Sequence, residues 1–186
     1  MGGGKNNRIA HCRQCDGHAY DKVRSIGIYS HALASAVIAL KTTPSLTKQV
    51  HELFHAAFLR SGFDEATLII PVPLSRQRLL ERGFNQAEVA AKYLSEKTRI
   101  PIDAPSLVRT KHSQIHRVGM DSKARFLSVQ NAFKVVRPKL IAGQRILLVD
   151  DVYTTGATLS YCAKALKKSG ALEVNALTLA RAVIKH

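Results

Sequence analysis

Two adjacent carboxylates stand directly before a turn of small and hydroxylated residues, an order of residue types that suits a sugar phosphate. Asp150 and Asp151 end an apolar run that starts at Ile146, and residues 154–158 are three threonines, a glycine and an alanine. Successive backbone N–H groups at the start of a following helix stabilise a phosphate through hydrogen bonds and the helix dipole. The carboxylates must then face a ribose diol or a Mg²⁺ that the ligand carries. Ribose 5-phosphate satisfies both halves of this pattern.

A plainer interpretation of the same segment stays open. Asp150 and Asp151 would only end a strand, and Thr154 or Thr155 would only cap the next helix. The complete order of apolar strand, two acids, small-residue turn and helix favours the ligand site, because a helix cap needs none of the other parts.

The elements that must position these residues alternate between strand and helix patterns. Short apolar runs typical of buried strands lie at 23–29, 67–70, 133–136, 145–149 and 174–179. Helical periodicity is found at 31–41, 45–62, 85–94 and 159–168. This alternation predicts an α/β fold with a mostly parallel sheet flanked by helices. Ligands of such sheets bind outside the carboxyl ends of the strands, where Asp150 would stand.

Capping residues predict where two of these helices begin. Ser45 would cap the helix that ends at Gly62, with Leu53 on its apolar face. Asn85, with Glu88 three residues later, resembles a capping box at the start of the next helix.

The chain is strongly basic, with 28 Lys and Arg against 13 Asp and Glu, a formal net charge of +15. The surplus is concentrated in residues 111–145, which hold eight basic residues and one acidic residue. A field of this sign attracts nucleic acid or a phosphorylated metabolite, although a need for solubility also explains it. With 6 Phe, 5 Tyr and no Trp, stacking platforms for single-stranded nucleic acid would be few.

Length and composition exclude several classes of protein. The 186 residues are enough for one domain with at most a small appendage, and 46% hydrophobic residues are ordinary for a globular chain. Three cysteines are too few for a disulfide scaffold. No apolar run reaches the ~18 residues of a membrane span, and residues 1–5 hold no secretory leader. We therefore expect a cytoplasmic protein.

Several segments together resemble one known family. The run 147–159 resembles the phosphoribosyl pyrophosphate (PRPP) signature of type I phosphoribosyltransferases. The segments 70–74 and 82–87, with the Cys12-x-x-Cys15 lead-in, are similar to the ComF/GntX branch of that superfamily. Further matches in its loop region are Gln114, Gly119, Arg125 and 131–133. The resemblance extends from about residue 12 to residue 181 and implies the type I phosphoribosyltransferase fold.

The resemblance implies a PRPP site with several parts. Asp150 and Asp151 would hold the ribose hydroxyls. The 5′-phosphate would bind to Thr154, Thr155, Gly156, Ala157 and Thr158. A pyrophosphate loop would consist of Val72, Pro73, Leu74, Ser75 and Arg76. A flexible loop at 110–120 would close over PRPP and its Mg²⁺, with contacts from Lys111, Gln114 and Arg117.

Arginines beside the pyrophosphate loop add to this picture. Arg76 and Arg78 follow the strand that reaches Pro71, and the fork of a guanidinium suits a pyrophosphate. The alternative for Arg76, Arg78 and Arg82 is a solvated helix face.

The resemblance also divides the chain into an N-terminal lead, residues 1–20, and a phosphoribosyltransferase-like domain, residues 21–186. The family often opens with a four-cysteine zinc module, of which Cys12 and Cys15 would be one pair. This pair would be half of a Zn²⁺ site or, in the interpretation that we favour, a degenerate half-module. Cys162 lies in a predicted helix, where it is expected to be a small buried hydrophobe.

We expect a ComF-like protein that binds PRPP or ribose 5-phosphate and works in DNA uptake or the use of imported DNA, with partners in the competence machinery. One alternative is an active phosphoribosyltransferase of nucleotide metabolism, although Thr154 stands where some purine enzymes of the superfamily carry their general base. Another is a single-stranded-DNA-binding adaptor with a vestigial PRPP site, contacting DNA through Lys111, Arg117, Lys123 and Arg125. No catalytic residue is assigned.

Overall fold

The computed structural model describes residues 17–110 and 132–183. The strands in these ranges are β1 Lys22–Ile28, β2 Leu68–Pro71, β3 Leu107–Arg109, β4 Phe133–Val135, β5 Arg145–Tyr153 and β6 Glu173–Arg181. The helices are α1 His31–Ala39, α2 Lys48–Ser61, α3 Arg76–Arg82, α4 Gln86–Thr98, α5 Pro138–Ile141 and α6 Ala157–Lys168. Among the described residues, no helix is long and apolar enough to cross a membrane.

Four of the strands form a parallel sheet in the order β1-β6-β5-β2. Strands β3 and β4 form a separate antiparallel pair. The α/β fold with a mostly parallel sheet is therefore confirmed. Because β5 lies between β6 and β2, its carboxyl end stands in the middle of the edge at which parallel sheets bind ligands.

The core has two parts, one on each face of the sheet. Successive residues of β5 contribute to opposite faces, as the pleat of a strand requires. Ile146 and Leu148 pack in the cluster that contains Leu166 of α6, while Leu147 packs in the cluster that contains Phe54 of α2. Each such fully buried side chain stabilises the fold by about 1.5–3 kcal/mol relative to an exposed one. Helices thus cover both faces of β5 and hold it rigidly in place.

Of the two predicted helix caps, the one at Ser45 is wrong and the one at Asn85 is confirmed. The N-cap of α2 is Thr47, whose Oγ1 accepts a hydrogen bond from the Val50 N–H at 3.4 Å, and not Ser45. Asn85 does cap α4, since its Oδ1 accepts from the Ala87 N–H at 3.1 Å, but Glu88 forms an ion pair with Lys92. Ser45 and Thr47 lie two positions apart, and both are residue types that cap helices. Residue type alone therefore does not show which of them is the N-cap of α2.

Leu53 is exposed, although the apolar pattern of α2 predicts that it faces the core. Gly62 ends that helix in the left-handed conformation, as predicted. Cys162 is fully buried inside α6, also as predicted.

The strand that carries the carboxylates is longer than the predicted 145–149. It continues through Asp150 and Asp151 to Tyr153, because β6 continues beside it and pairs Tyr153 with Arg181. The following helix begins at Ala157, so only three residues separate strand from helix. This short connection places the start of α6 directly above the carboxyl end of β5.

Candidate functional site

A cavity of about 390 Å³ opens at the carboxyl end of the parallel sheet. Side chains from the ends of several elements line it: Tyr29, Lys41, Val72, Pro73, Leu74, Arg78, Arg82, Arg109, Asp150, Asp151, Val152, Thr154, Thr158 and Ala182. The position is the one predicted for the ligand site of a parallel sheet. The cavity therefore brings together residues from distant parts of the chain. Tyr29 and Ala182, for example, are 153 positions apart.

The two carboxylates lie on the floor of this cavity, held by the backbone of their own strand. The Asp151 N–H donates to Asp150 Oδ1 at 2.9 Å, and the Val152 N–H donates to Asp151 Oδ1 at 2.7 Å. Each carboxylate therefore keeps a second oxygen for a ligand. Two carboxylates this close suit a partner that donates hydrogen bonds or carries positive charge.

The surroundings of Asp150 change the pKa of its carboxyl group strongly. Removal from water raises the pKa of its carboxyl well above the ordinary value, and the negative charge of Asp151 raises it further. The positive charge of Arg109 partly opposes this rise. A ligand that donates hydrogen bonds to Asp150 would favour the ionised carboxylate and so offset part of its desolvation.

The turn 154–158 follows at the rim of the cavity. Gly156 adopts a left-handed conformation, φ +77°, and forms the N-cap of α6. Thr155 Oγ1 accepts a hydrogen bond from the Ala157 N–H at 3.4 Å. Thr154 and Thr158 are exposed and line the cavity. The turn therefore presents hydroxyl groups and the N-terminal end of a twelve-residue helix to an anion.

A polar aromatic cluster supports this turn from the side away from solvent. A methyl group on Gly156 would lie 2.7 Å from both the Tyr20 and Tyr153 hydroxyls and 3.1 Å from His18 Nε2. The two hydroxyls are 2.9 Å apart, and the His18 ring stacks on Tyr20 with centroids 4.9 Å apart. The Arg181 guanidinium lies 4.9 Å above the Tyr153 ring. Only glycine fits at this position of the turn.

The loop after β2 forms the opposite wall of the cavity. The Val72 N–H donates to the Val149 carbonyl at 2.8 Å, and Asn85 Nδ2 donates to the Val72 carbonyl at 3.0 Å. Ser75 is buried and caps α3, since its Oγ accepts from the Arg78 N–H. The loop is thus held at both of its ends.

Three guanidinium groups gather on this side, from Arg78 and Arg82 of α3 and from Arg109 at the end of β3. Burial lowers the pKa of Arg109, and the positive charge of Arg78 lowers it further. Like charges held this close indicate a site that gains from an anion, and the planar fork of arginine fits a phosphate. Arg76, Arg78 and Arg82 all lie on α3, which has no buried residue, as their alternative interpretation expects, and Arg78 and Arg82 nevertheless line the cavity.

The structure places some of the predicted site residues around the cavity and others outside it. Around the one cavity lie Val72, Pro73, Leu74, Asp150, Asp151, Thr154 and Thr158. Thr155, Gly156 and Ala157 form the turn at its rim, whereas Ser75 and Arg76 are not among its lining residues. Outside the described residues lie Cys12, Cys15, Lys111, Gln114, Arg117, Lys123 and Arg125.

Sequence reasoning missed several lining residues. Tyr29 is the last residue of a predicted strand and directly follows β1, and Arg109 ends another short apolar segment, so the rule about carboxyl ends of strands could have found both. Lys41 follows α1 and carries no local signal. The cluster of His18, Tyr20 and Tyr153 likewise has no sequence signature, because its members come from two distant segments.

A second cavity, of about 630 Å³, lies between α6 and the β3–β4 pair. Its lining includes the exposed lysines Lys134, Lys164 and Lys168, together with Phe133 and Tyr161. Burial raises the pKa of the Tyr161 hydroxyl. Within the described part of the chain, no acidic side chain lines this cavity. It is a basic surface with an aromatic component, separate from the carboxylates.

Comparison with solved structures gives distant likenesses. A glutamine PRPP amidotransferase from B. subtilis, complexed with ADP and GMP, is 19% identical with a TM-score of 0.47, over 69% of this chain and 26% of that chain. A purine phosphoribosyltransferase from Pyrococcus horikoshii is 19% identical with a TM-score of 0.41, over 72% of this chain and 70% of that chain.

Comparison of sequences gives nearer relatives. Competence protein F of Haemophilus influenzae is 33% identical over 181 residues, 92% of this chain and 79% of that protein. Competence protein ComFC of Bacillus subtilis is 34% identical over 69% of this chain and 50% of its own length. DNA utilization protein YhgH of Escherichia coli O157:H7 is 32% identical over 70% of this chain and 56% of its own length. The chain thus spans about half of the length of these last two relatives.

The family described as "Phosphoribosyl transferase domain" matches residues 80–185, more than half of the chain, including the two carboxylates and the turn after them. Together with the identity to competence protein F over nearly the whole chain, this match shows that the chain belongs to the phosphoribosyl transferase domain family, in the group of competence protein F and ComFC.

Proposed function

We propose that the cavity binds PRPP and that the protein is a phosphoribosyltransferase acting in the uptake or use of DNA. The observation that carries this proposal is the position of Asp150 and Asp151 on one cavity floor, between the arginine-lined loop after β2 and the N-terminus of α6. PRPP has a diol between two phosphorylated ends, and the cavity offers carboxylates between two anion-binding ends.

Each part of PRPP has a partner of matching chemistry. The ribose hydroxyls donate hydrogen bonds to Asp150 and Asp151. The 5′-phosphate accepts hydrogen bonds from the turn 154–158 and is stabilised by the dipole of α6. The pyrophosphate lies by Arg78 and Arg109, whose charges stabilise it as it leaves C1′. In the transfer, an acceptor forms a new bond to C1′ while the C1′–O bond breaks, and the electron pair of that bond departs with the pyrophosphate.

Mg²⁺ fits this arrangement as an ion that the ligand carries. Carboxylate oxygens are suitable ligands for Mg²⁺, and it usually keeps several waters and takes phosphate oxygens from its substrate. Among the described residues, no three His, Cys, Asp or Glu side chains are grouped as a metal site. Pyrophosphate and water would therefore supply most of its oxygens, with the ion neutralising charge on the leaving group.

The cellular role in this proposal comes from the relatives. Their names refer to competence and DNA utilization. A phosphoribosyltransferase in such a role would act in the cytoplasm on material derived from imported DNA, beside other competence proteins. Zn²⁺ at Cys12 and Cys15 would belong to the same proposal as an N-terminal half-site.

Calorimetric titration with PRPP and Mg²⁺ tests the proposal. The double variant Asp150→Asn, Asp151→Asn keeps the shape of both side chains but removes their charge, so we expect binding to be lost. Asp64→Asn, at an exposed residue away from the cavity, is the matched control and should bind as the wild type does. Unchanged affinity in the double variant would reject this site.

A second candidate function, binding of single-stranded DNA, is favoured by the basic cavity between α6 and the β3–β4 pair. Exposed lysines attract phosphates, and the partly exposed ring of Tyr161 offers a face for base stacking. In this case the PRPP site would be vestigial.

Anisotropy of a labelled oligothymidine, measured over a series of salt concentrations, tests the second candidate. The logarithm of the association constant should fall against the logarithm of salt concentration by about 0.7 per phosphate neutralised. Lys164→Gln with Lys168→Gln should reduce both the affinity and that slope. Lys48→Gln with Lys92→Gln removes the same charge from elsewhere and should change neither, so equal effects of the two pairs would contradict this candidate.

A further inference from the structure

The order of the strands separates the two sides of the cavity. Strand β5 carries the carboxylates, and β2 lies on one side of it, followed by the arginines of α3. On the other side lie β6 and then β1, which are followed by Ala182 and Tyr29. A sugar held at Asp150 and Asp151 with its pyrophosphate toward α3 therefore turns its opposite face toward the ends of β6 and β1.

This second side has a defined wall. The Ala182 N–H donates to the Tyr153 carbonyl at 2.8 Å, and the Tyr29 N–H donates to the Arg181 carbonyl at 2.8 Å. These bonds extend the sheet beyond its last strand residues and fix Tyr29 and Ala182, which line the cavity together with Val152. The wall thus combines an aromatic ring with apolar side chains, which is the surface that a flat ring prefers.

Lys41 supplies a positive charge on this side, since it closely follows α1, the helix that contacts β6. It is half-buried, lines the cavity, and forms no ion pair with any residue in the described ranges. The carboxylates that line the cavity within those ranges are Asp150 and Asp151, which the proposed function uses for the sugar. Among the described residues, a group that enters on the side of Tyr29 therefore meets a cation and no further acid.

We propose that the acceptor of the phosphoribosyl group is a pyridine-type heteroaromatic ring that carries a carboxylate, packed on Tyr29 and Val152 with its carboxylate at Lys41. This inference rests on the proposed function, because the position of the sugar defines the acceptor side.

The transfer to such an acceptor needs no base on this wall. The lone pair of the unprotonated ring nitrogen forms the N–C1′ bond, while the C1′–O bond breaks and its electron pair leaves with the pyrophosphate. A pyridine-type nitrogen has no proton to lose, so no third carboxylate is needed to accept one. Lys41 acts on the substituent and the carboxylates act on the sugar.

Nucleotides that differ only at the acidic group test the inference by equilibrium binding. Nicotinate mononucleotide and nicotinamide mononucleotide share a pyridine-derived ring and differ only in carrying a carboxylate or an amide. The acid should bind about tenfold more tightly, as one charge-assisted hydrogen bond provides. Ribose 5-phosphate, which has no ring, is the reference ligand.

Variants of Lys41 and Tyr29 then test which residue causes the preference for the acid. Lys41→Gln should bring the acid and non-acid members of the pair to equal affinity without changing the affinity for ribose 5-phosphate, and Lys92→Gln should change neither. Tyr29→Leu should weaken both nucleotides but not ribose 5-phosphate, and Tyr29→Phe should restore them.

The outcomes separate this inference from the proposed function. If PRPP and ribose 5-phosphate bind but the protein shows no preference for nicotinate mononucleotide over nicotinamide mononucleotide, the acceptor inference is overturned and the proposed function stands. A preference that survives in Lys41→Gln also overturns it. If PRPP and ribose 5-phosphate do not bind at all, the proposed function fails, and the acceptor inference fails with it.

Discussion

The hydroxyl of Tyr20 lies 2.9 Å from the hydroxyl of Tyr153, a contact between residues 133 positions apart in the chain. Tyr20 belongs to the segment that enters β1, and Tyr153 is the last residue of β5. Both hydroxyls lie beneath Gly156, the residue at which the turn 154–158 passes into α6. This pair joins the N-terminal segment of the domain to the turn that would bind the phosphate.

Substitution of Gly156 tests the close contact. Gly156→Ala should destabilise the protein and abolish binding of ribose 5-phosphate, because the new methyl group meets two hydroxyls at 2.7 Å. Gly143 provides the control, since it has the same φ of +77° but nothing within 4 Å of an added methyl group. Gly143→Ala should cost only the conformational strain, about 1–2 kcal/mol. Urea denaturation that gives equal losses for the two variants would contradict the contact.

The hydroxyl pair should be visible as an interaction energy. Tyr20→Phe and Tyr153→Phe should each lower the free energy of unfolding by about 1–3 kcal/mol, because each leaves a buried hydroxyl without this partner. The double variant should lose less than the sum of the single losses. A double-mutant cycle measured by chemical denaturation gives this coupling. Simple additivity would show that the two hydroxyls do not interact.

Asp150 should make stability depend on pH. Its pKa is raised in the folded protein, chiefly by removal from water and then by Asp151, so the folded state binds the proton more tightly than the unfolded state does. The wild type should therefore lose stability as pH rises from the ordinary range of an aspartate through the raised pKa of Asp150. Asp150→Asn should flatten this dependence and be more stable than the wild type at neutral pH.

Denaturation curves from acid to neutral pH measure this effect. The difference between Asp150→Asn and the wild type should shrink toward acid pH, where the wild-type carboxyl is also neutral. A variant that is more stable and yet does not bind PRPP would separate the function of Asp150 from its structural cost. A wild type that gains stability across the same range relative to Asp150→Asn would refute the sign of the pKa change.

Neighbouring arginines of α3 should differ in their effect on ligand binding. Arg78 lines the cavity and Arg76 does not, although both are exposed residues of the same short helix. Arg78→Gln should weaken PRPP by about tenfold, as loss of a charge-assisted contact does, and leave ribose 5-phosphate nearly unchanged. Arg76→Gln should change neither ligand. Equal effects on both ligands would place the pyrophosphate elsewhere.

The sheet and its helices were predictable because their signals are local. Each buried strand is a short apolar run between turn residues, as at 67–70 and 174–179, and the helices repeat with their own period. The short helix α3 was foreseen only as an alternative, since none of its residues is buried and its sequence has no apolar face to reveal it.

Part of the candidate site was predictable for the same reason. Asp150, Asp151 and the turn 154–158 are consecutive, so the sequence alone determined their order and the start of a helix after them. It also determined the family resemblance and the basic character of the chain.

Only the tertiary structure decided which other residues meet these carboxylates. The order β1-β6-β5-β2 brings Tyr29 and Ala182 to one side of Asp150 and the loop with Arg78 to the other. The Tyr20–Tyr153 contact depends on the same order. Such encounters join separate segments of the chain, 133 positions apart for Tyr20 and Tyr153. No local pattern encodes them, because they are determined by how strands associate through burial of both faces of the sheet.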